Sequence, residues 1–315
     1  MFSHKKIIGI LVATVTTVFI AIFATQAIRE SLANDDIAAF KQEVESIRNY
    51  PNAHSAGSTA DKGLLTEAMR YDDKNYEAPL LYAKTLHNEG KYDESLKLYQ
   101  KAIALRPDST ESYWCRSQCY AALKKYDQAI ADMTDCIRID PSTYDYYFTR
   151  ARLYGSINDR IAAIKDYDEI LNRENTNHPK YVNYAMVLNN KAYSLIELEK
   201  YYEALPLLNR AISLQQNNDT FYGSRGELYY TVGDYDKSYN DFTRAIRLIE
   251  ANKGKSGCDD PSSYYHYRGL LHSRMGALEA ARLDLQKAVN MGSIKAAEPL
   301  HQVEQIIGKS LIENI

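Results

Sequence analysis

Four arginine–aspartate pairs are the most regular chemistry in this chain. Arg116 and Asp132, Arg150 and Asp166, Arg225 and Asp241, and Arg268 and Asp284 are each separated by 16 positions. Where the arginine slot holds Tyr82 or Lys191, the aspartate slot holds Leu98 or Leu207, so the two slots change together. A separation kept this strictly predicts ion pairs between successive elements. Partly buried pairs of this kind fix registry more than they add net stability. The alternative chemistry is a ladder of arginines that binds a ligand.

The other reactive side chains form no catalytic set. Cys115, Cys119 and Cys136 fall close together, and Cys258 sits in a polar stretch. Cys119 and Cys136 occupy small-residue positions, which predicts buried free thiols. Cys258 is the more reactive candidate, and export of the chain would make a disulfide among the four accessible. Cys115 and Cys119 have no histidine near them in sequence, so a zinc site is disfavoured. Gly254-Lys255-Ser256 echoes a phosphate loop, but Ile249 stands where the leading glycine belongs. Asn218-Asp219-Thr220 is a lone glycosylation triplet. No zinc-protease or serine-hydrolase motif occurs. The expectation is no enzyme, no metal and no cofactor.

The elements that position these residues repeat every 34 positions. Pro107 and Pro141, Tyr92 and Tyr126, Tyr201 and Tyr235, and Ala211 and Ala245 all step by 34. Six units result: 76–109, 110–143, 144–177, 185–218, 219–252 and 262–295. Extra residues, His178 to Tyr184 and Lys253 to Pro261, precede the fourth and sixth. Apolar residues within a unit follow helical spacing on two successive helices. Leu123-Lys124-Lys125 and Gly233-Asp234 read as turns, and Pro141 as a helix stop. Small residues mark close helix approaches: Ala83, Ser117, Ala151, Ala192, Gly226 and Gly269 on first helices, and Ser95, Ala129, Ala163, Ala204, Ser238 and Ala281 on second helices.

The stretch Tyr92-Asp93-Glu94-Ser95-Leu96-Lys97-Leu98-Tyr99-Gln100-Lys101-Ala102-Ile103-Ala104-Leu105-Arg106-Pro107 resembles the second helix of a tetratricopeptide (TPR) repeat. The resemblance covers 76–295. It implies an all-α solenoid of paired antiparallel helices in a right-handed superhelix, with first helices lining the concave face. Departures from the pattern are Pro79 for an aromatic, Arg160 for a tyrosine, Pro206 early in a second helix, where it is expected to bend that helix, and Gln216 for the closing proline. The tyrosine excess, 27 against 7 phenylalanines, is largely repeat packing, since thirteen occupy repeat slots. The family's carboxylate clamp is absent, because Leu80, Lys84, Asp145 and Thr149 do not supply its residue set.

The resemblance places Trp114, Phe148, Tyr193, Tyr230 and His266 on the groove side of first helices. Mixed charges join them: Lys84, Glu111, Arg152, Glu197, Glu227 and Arg274. Trp114, Phe148, Tyr193, Tyr230, His266, Lys84 and Arg152 are the predicted partner-binding residues. Aromatic anchors in a groove suit a protein or peptide partner.

The flanks carry the remaining predictions. Residues 7–28 hold no charge and are long enough, at ~33 Å as a helix, for a ~30 Å hydrocarbon core. Lys5 and Lys6 precede them, so 1–28 is read as a short cytoplasmic tail and a transmembrane anchor with the body exported to a bacterial periplasm. A cleaved signal peptide ending near Thr25-Gln26-Ala27 or Ser31-Leu32-Ala33 is the competing reading, and a reversed anchor a third. Residues 29–75 form a stalk or degenerate repeat, with Asp35 to Asn49 and Asp61 to Tyr71 as helices. Residues 296–315 form a capping helix over Ala296 to Ile307, with Leu300, Val303, Ile306 and Ile307 buried and Gly308 ending it.

Lys plus Arg is 38 and Asp plus Glu 41, for a net charge of -3, which disfavours general nucleic-acid binding. The chain therefore reads as a membrane-anchored scaffold or adaptor that holds a protein or peptide in its groove. The alternative is an envelope enzyme or carbohydrate-binding protein on the same solenoid, for which Arg152, Glu227, His266 and Arg274 would have to converge.

Overall fold

Six turns with one backbone design organise the chain. The computed structural model describes residues 73–173, 183–252 and 260–313, with parts of 62–70. Thirteen α-helices lie among the described residues, and no strand does. They are α1 (Glu77–Asn88), α2 (Tyr92–Leu105), α3 (Thr110–Ala122), α4 (Tyr126–Ile139), α5 (Tyr144–Ser156), α6 (Arg160–Asn172), α7 (Tyr184–Glu197), α8 (Tyr201–Leu214), α9 (Asp219–Thr231), α10 (Tyr235–Ala251), α11 (Ser262–Arg274), α12 (Leu278–Asn290) and α13 (Ala297–Glu313). A short 3-10 turn, Ile294–Ala296, precedes α13. The body is an all-α repeat solenoid.

Each pair from α1/α2 to α11/α12 is joined through one residue in the left-handed region: Gly90, Lys124, Asn158, Glu199, Gly233 and Gly276. The next N–H reaches back five residues, as from Lys91 to the Leu86 carbonyl and from Lys200 to the Leu195 carbonyl. This closes the end of every first helix in the same way. Several helix starts are capped by polar side chains: Ser109, Asp159, Asn183, Asn218 and Asp234 each accept from a backbone N–H of the first turn.

All twelve small-residue positions are buried. The two serines on second helices use the close approach for a hydrogen bond. Ser95 Oγ donates to the Ala83 carbonyl at 2.6 Å, and Ser238 Oγ to the Gly226 carbonyl at 2.8 Å.

The chain divides into two compact units, 1–146 and 147–315. In the first, Leu80, Ala83, Tyr99, Ala102 and Cys119 form a buried core. In the second, Ala192, Leu195, Ala204, Leu208 and Leu228 pack α7, α8 and α9 together. Phe242, Ile246, Tyr264, Leu285, Leu300 and Val303 join α10 to α13.

The arginine–aspartate pairs lie within helix pairs. Each is a two-pronged contact: Arg116 to Asp132 at 2.9 and 2.6 Å, Arg150 to Asp166 at 2.9 and 2.7 Å, and Arg268 to Asp284 at 2.7 Å twice. At Arg116 and Arg150, tyrosines three residues before and four after sandwich the guanidinium. Arg116 lies 5.6 Å from Tyr113 and 5.8 Å from Tyr120, and Arg150 lies 5.9 Å from both Tyr147 and Tyr154. Burial holds the Asp132 carboxyl above its ordinary range even though Arg116 pulls it down. The side chains are nearly enclosed, so the pairs are structural and not a ligand ladder.

Pro206 lies inside α8, in its second turn. Two local expectations are corrected. Gly308 does not end α13, which runs on to Glu313; a helical glycine costs about 1 kcal/mol but does not stop a packed helix. Ile306 is 48% exposed, because Leu300 and Val303 face the core and Ile306 lies off that stripe. Residues 7–28, Asp35 to Asn49, His178 to Val182 and Cys258 lie outside the described residues. Among the described residues no helix is long and apolar enough to cross a membrane.

Candidate functional site

Two concavities carry the groove side chains, one in each unit. The smaller, about 190 Å³, is bounded by Lys84, His87, Tyr99, Trp114, Cys115 and Gln118. Trp114 is half-buried and tilts against Tyr146 at 5.4 Å. Lys84 pairs with Glu111. Behind the wall, His87 Nδ1 lies 3.0 Å from Cys119 Sγ. Burial lowers the histidine pKa and raises the thiol, so this is a neutral pair and not an activated nucleophile. Burial pushes the Cys136 thiol up to about 12.

The larger cavity, about 660 Å³, belongs to the second unit and is built mainly from first helices. Phe148 and Arg152 come from α5, Asn189, Asn190 and Tyr193 from α7, Thr220 and Glu227 from α9, and Ser263 and Tyr264 from α11. Its volume falls in the range of ligand sites. Phe148 leans on Tyr167 at 6.2 Å, and Tyr193 is 40% exposed. Arg152 is exposed, and no carboxylate pairs with it among the described residues.

Arg160 enters from the start of α6, in the slot where α2, α4, α8 and α10 begin with tyrosine. Its guanidinium lies 5.7 Å from the Tyr193 ring, and its Nη2 stands 3.6 Å from Glu197. Gly155 makes room for it, since a Cβ there would meet Nη1 at 3.2 Å. Glu227 Oε1 accepts from the Tyr267 hydroxyl at 3.1 Å, and burial holds that carboxyl above its ordinary value.

The predicted site residues thus separate into groups. Phe148, Arg152 and Tyr193 share the larger cavity, and Lys84 and Trp114 the smaller. Tyr230 lines neither; it is packed between Tyr235 at 5.7 Å and Tyr267 at 5.0 Å. His266 is 9% exposed, lies edge-on to Tyr267 at 5.4 Å, and has its pKa lowered by burial. The groove is closed to both, because the next first helix supplies Tyr267 over one and the protein interior surrounds the other. Arg152 and Glu227 share the larger cavity, but His266 and Arg274 do not join them; Arg274 stacks on Tyr235 at 4.3 Å. Asn189 was not readable as a site residue from sequence. Arg160 carried a signal, its departure from the repeat's tyrosine.

Comparison with known proteins agrees with this architecture. A tetratricopeptide-repeat profile matches residues 186–218 and 220–252, and a profile described as anaphase-promoting complex, cyclosome, subunit 3 matches residues 56–136. No curated protein matches the chain. Among solved structures, a tetratricopeptide repeat protein from Parabacteroides merdae superposes with a TM-score of 0.58 at 20% identity, over 85% of this chain and 97% of that one. PilW, described as a type IV pilus biogenesis factor, gives 0.58 at 15%, over 71% of this chain and 98% of its own. The Cut9–Hcn1 hetero-tetramer of the APC/C gives 0.57 at 13%, over 79% of this chain and 46% of the matched chain. At these identities the likeness is one of fold. The chain is folded as a tetratricopeptide-repeat protein.

Proposed function

We propose that this chain is a non-enzymatic scaffold that holds a segment of a partner protein against the first helices of its second unit. The observation that carries the reading is the 660 Å³ cavity, where aromatic, amide and charged side chains from successive first helices meet. A surface already formed keeps the ordering cost of binding low. Phe148 and Tyr193 supply apolar contact, while Arg152 and Glu227 supply charge. PilW and the Cut9–Hcn1 assembly, which share the fold, work in pilus biogenesis and in a multi-chain complex respectively. This is consistent with a binding role here.

The scaffold reading includes an anchor. The uncharged run at 7–28 would tether the body to a membrane, with the basic end cytoplasmic and the repeats exported. Tethering raises the local concentration of the groove at the membrane face.

The test places a photo-crosslinking amino acid at Tyr193, and separately at Trp114, in the full chain in cells. Capture of a discrete protein from Tyr193 is expected. Absence of any protein adduct from both positions would sink the scaffold reading. A tag at Ile315, probed with protease before and after membrane lysis, decides the orientation. Cleavage from the exported side at full length is expected, and protection until the inner membrane is lysed would reverse it.

A further inference from the structure

Among the described residues, three polar atoms buried within side chains that line the larger cavity have no hydrogen-bond partner: Asn189 Oδ1, Arg160 Nε and Thr220 Oγ1. Asn189 is only 4% exposed. Its Nδ2 donates to Asn190 Oδ1 at 3.3 Å, so either orientation of the amide leaves one end bare. Leaving such groups unmade is costly, and each atom is closed to a water-sized probe, so a ligand in the cavity would satisfy them only as these wall side chains turn toward it. The set holds a donor on Arg160, an acceptor on Asn189 and a hydroxyl on Thr220 that does either. A peptide main chain presents donors and acceptors in alternation and satisfies all three.

Charge orders the cavity along its length. Arg152 and Arg160 lie toward α5 and α6, and Glu227 lies on α9 beside Tyr267. Arg152 and Glu227 occupy the same slot two repeats apart. Neighbouring helices pack 8–10 Å apart, so the two slots are about 16–20 Å from one another. An extended chain covers that distance in about five or six residues.

Resting on the scaffold reading, we infer that the larger cavity takes an extended peptide with an acidic side chain on Arg152 and Arg160, main-chain contacts to Asn189 and Thr220, and a basic side chain on Glu227 about five or six residues away. A neutral saccharide would fill the polar atoms but leave both charged ends unanswered. Tyr193, packed near Arg160, covers the middle of such a segment.

The test uses the full-length protein in detergent micelles and an array of dodecapeptides of otherwise random composition. Each peptide fixes one glutamate and one lysine, in both orders, at every spacing from two to nine. One order should bind best, with a maximum at five or six. Replacing that glutamate by glutamine should weaken binding about tenfold or more, the scale of a charged hydrogen bond. Arg152→Gln and Arg160→Gln should each erase the difference between the glutamate and glutamine peptides, with helicity retained by circular dichroism. Equal binding of both peptides, no maximum with spacing, or unchanged selectivity in the arginine variants would overturn the inference. So would an array without binding. Crosslinking from Tyr193 to a protein would still stand in each of these cases, so the scaffold reading fails or survives separately.

Discussion

Arg225 on α9 and Asp241 on α10 face each other through two hydrogen bonds, Nε to Oδ2 at 2.7 Å and Nη2 to Oδ1 at 2.8 Å. Tyr222 and Tyr229 lie on either side of the guanidinium at 5.8 and 5.9 Å. The same arrangement recurs at Arg116 and Arg150. Breaking one partner leaves an uncompensated charge, so Asp241→Ala should cost about 3 kcal/mol or more. Replacing both, as Arg225→Met with Asp241→Leu, should cost clearly less. Urea unfolding of both variants measures this, and a double variant worse than the single one would refute the registry role.

Lys124, Asn158 and Glu199 hold the left-handed turn conformation that Gly90, Gly233 and Gly276 hold elsewhere. A side chain there costs about 1–2 kcal/mol, while glycine adds unfolded-state entropy of about 0.5–1. Glu199→Gly should therefore stabilise by about 0.5–1 kcal/mol, seen as a raised midpoint of thermal unfolding. Gly276→Ala should lower it.

One substitution should have opposite signs at two helical glycines. A Cβ at Gly269 would fall 2.7 Å from Leu285 Cγ, while nothing lies within 4 Å of one at Gly308. Gly269→Ala should cost about 1–3 kcal/mol through overpacking. Gly308→Ala should stabilise by up to about 1 kcal/mol through helix propensity. Denaturant midpoints decide it, and equal signs would contradict the packing described here.

Burial raises the Glu227 pKa; the Tyr267 hydrogen bond and the Lys295 charge pull it down less strongly, and the Glu197 charge adds to the rise. A raised carboxyl favours the fold while protonated and loses that contribution as pH rises from its unfolded through its folded value. Glu227→Gln keeps an acceptor for Tyr267 and removes the ionisation. Its stability relative to the parent should be greater at pH 7 than at pH 4. A constant difference across that window would show that Glu227 titrates normally.

Burial raises the thiol pKa of Cys115, Cys119 and Cys136. In a Cys258→Ser chain, a maleimide should label Cys119 and Cys136 only on unfolding, because the thiolate is the nucleophile. Mass spectrometry of native and urea-treated samples gives the answer. Rapid native labelling of Cys136 would place it at the surface.

Much of the architecture was legible because it depends on slots that repeat. A small residue such as Ala163 or Ala204, or a pair such as Arg150 and Asp166, answers to its own helix pair, and spacing along the chain reports it. The groove was harder to read because a groove position answers to the neighbouring repeat as well. Tyr230 and Tyr193 are both aromatics on first helices, yet Tyr267 covers Tyr230 at 5.0 Å while Tyr193 stays 40% exposed. His266 sinks into the interior for a similar reason. His87 and Cys119 meet at 3.0 Å across 32 positions, a contact no local pattern announces. Asn189 gave no warning, because its unpaired oxygen becomes visible only once its neighbours are placed.

The pair α7/α8 stands apart from the others in the second unit, because Lys191 and Leu207 replace the arginine and aspartate. Lys191 turns instead to Asp168 on α6, at 2.5 Å. Asn209 on α8 accepts from Arg225 on α9, at 2.8 Å. The side-chain fastenings of Lys191 and Asn209 run outward to both neighbours, while an apolar seam and a hydrogen bond from Gln215 Nε2 to Asn183 Oδ1, at 2.9 Å, join the pair to itself. Sliding along that seam breaks no arginine–aspartate pair within it. The helix carrying Asn189, Asn190 and Tyr193 is therefore a wall of the cavity held without the two-pronged lock of its neighbours, better able to shift with an incoming chain while they keep their registry.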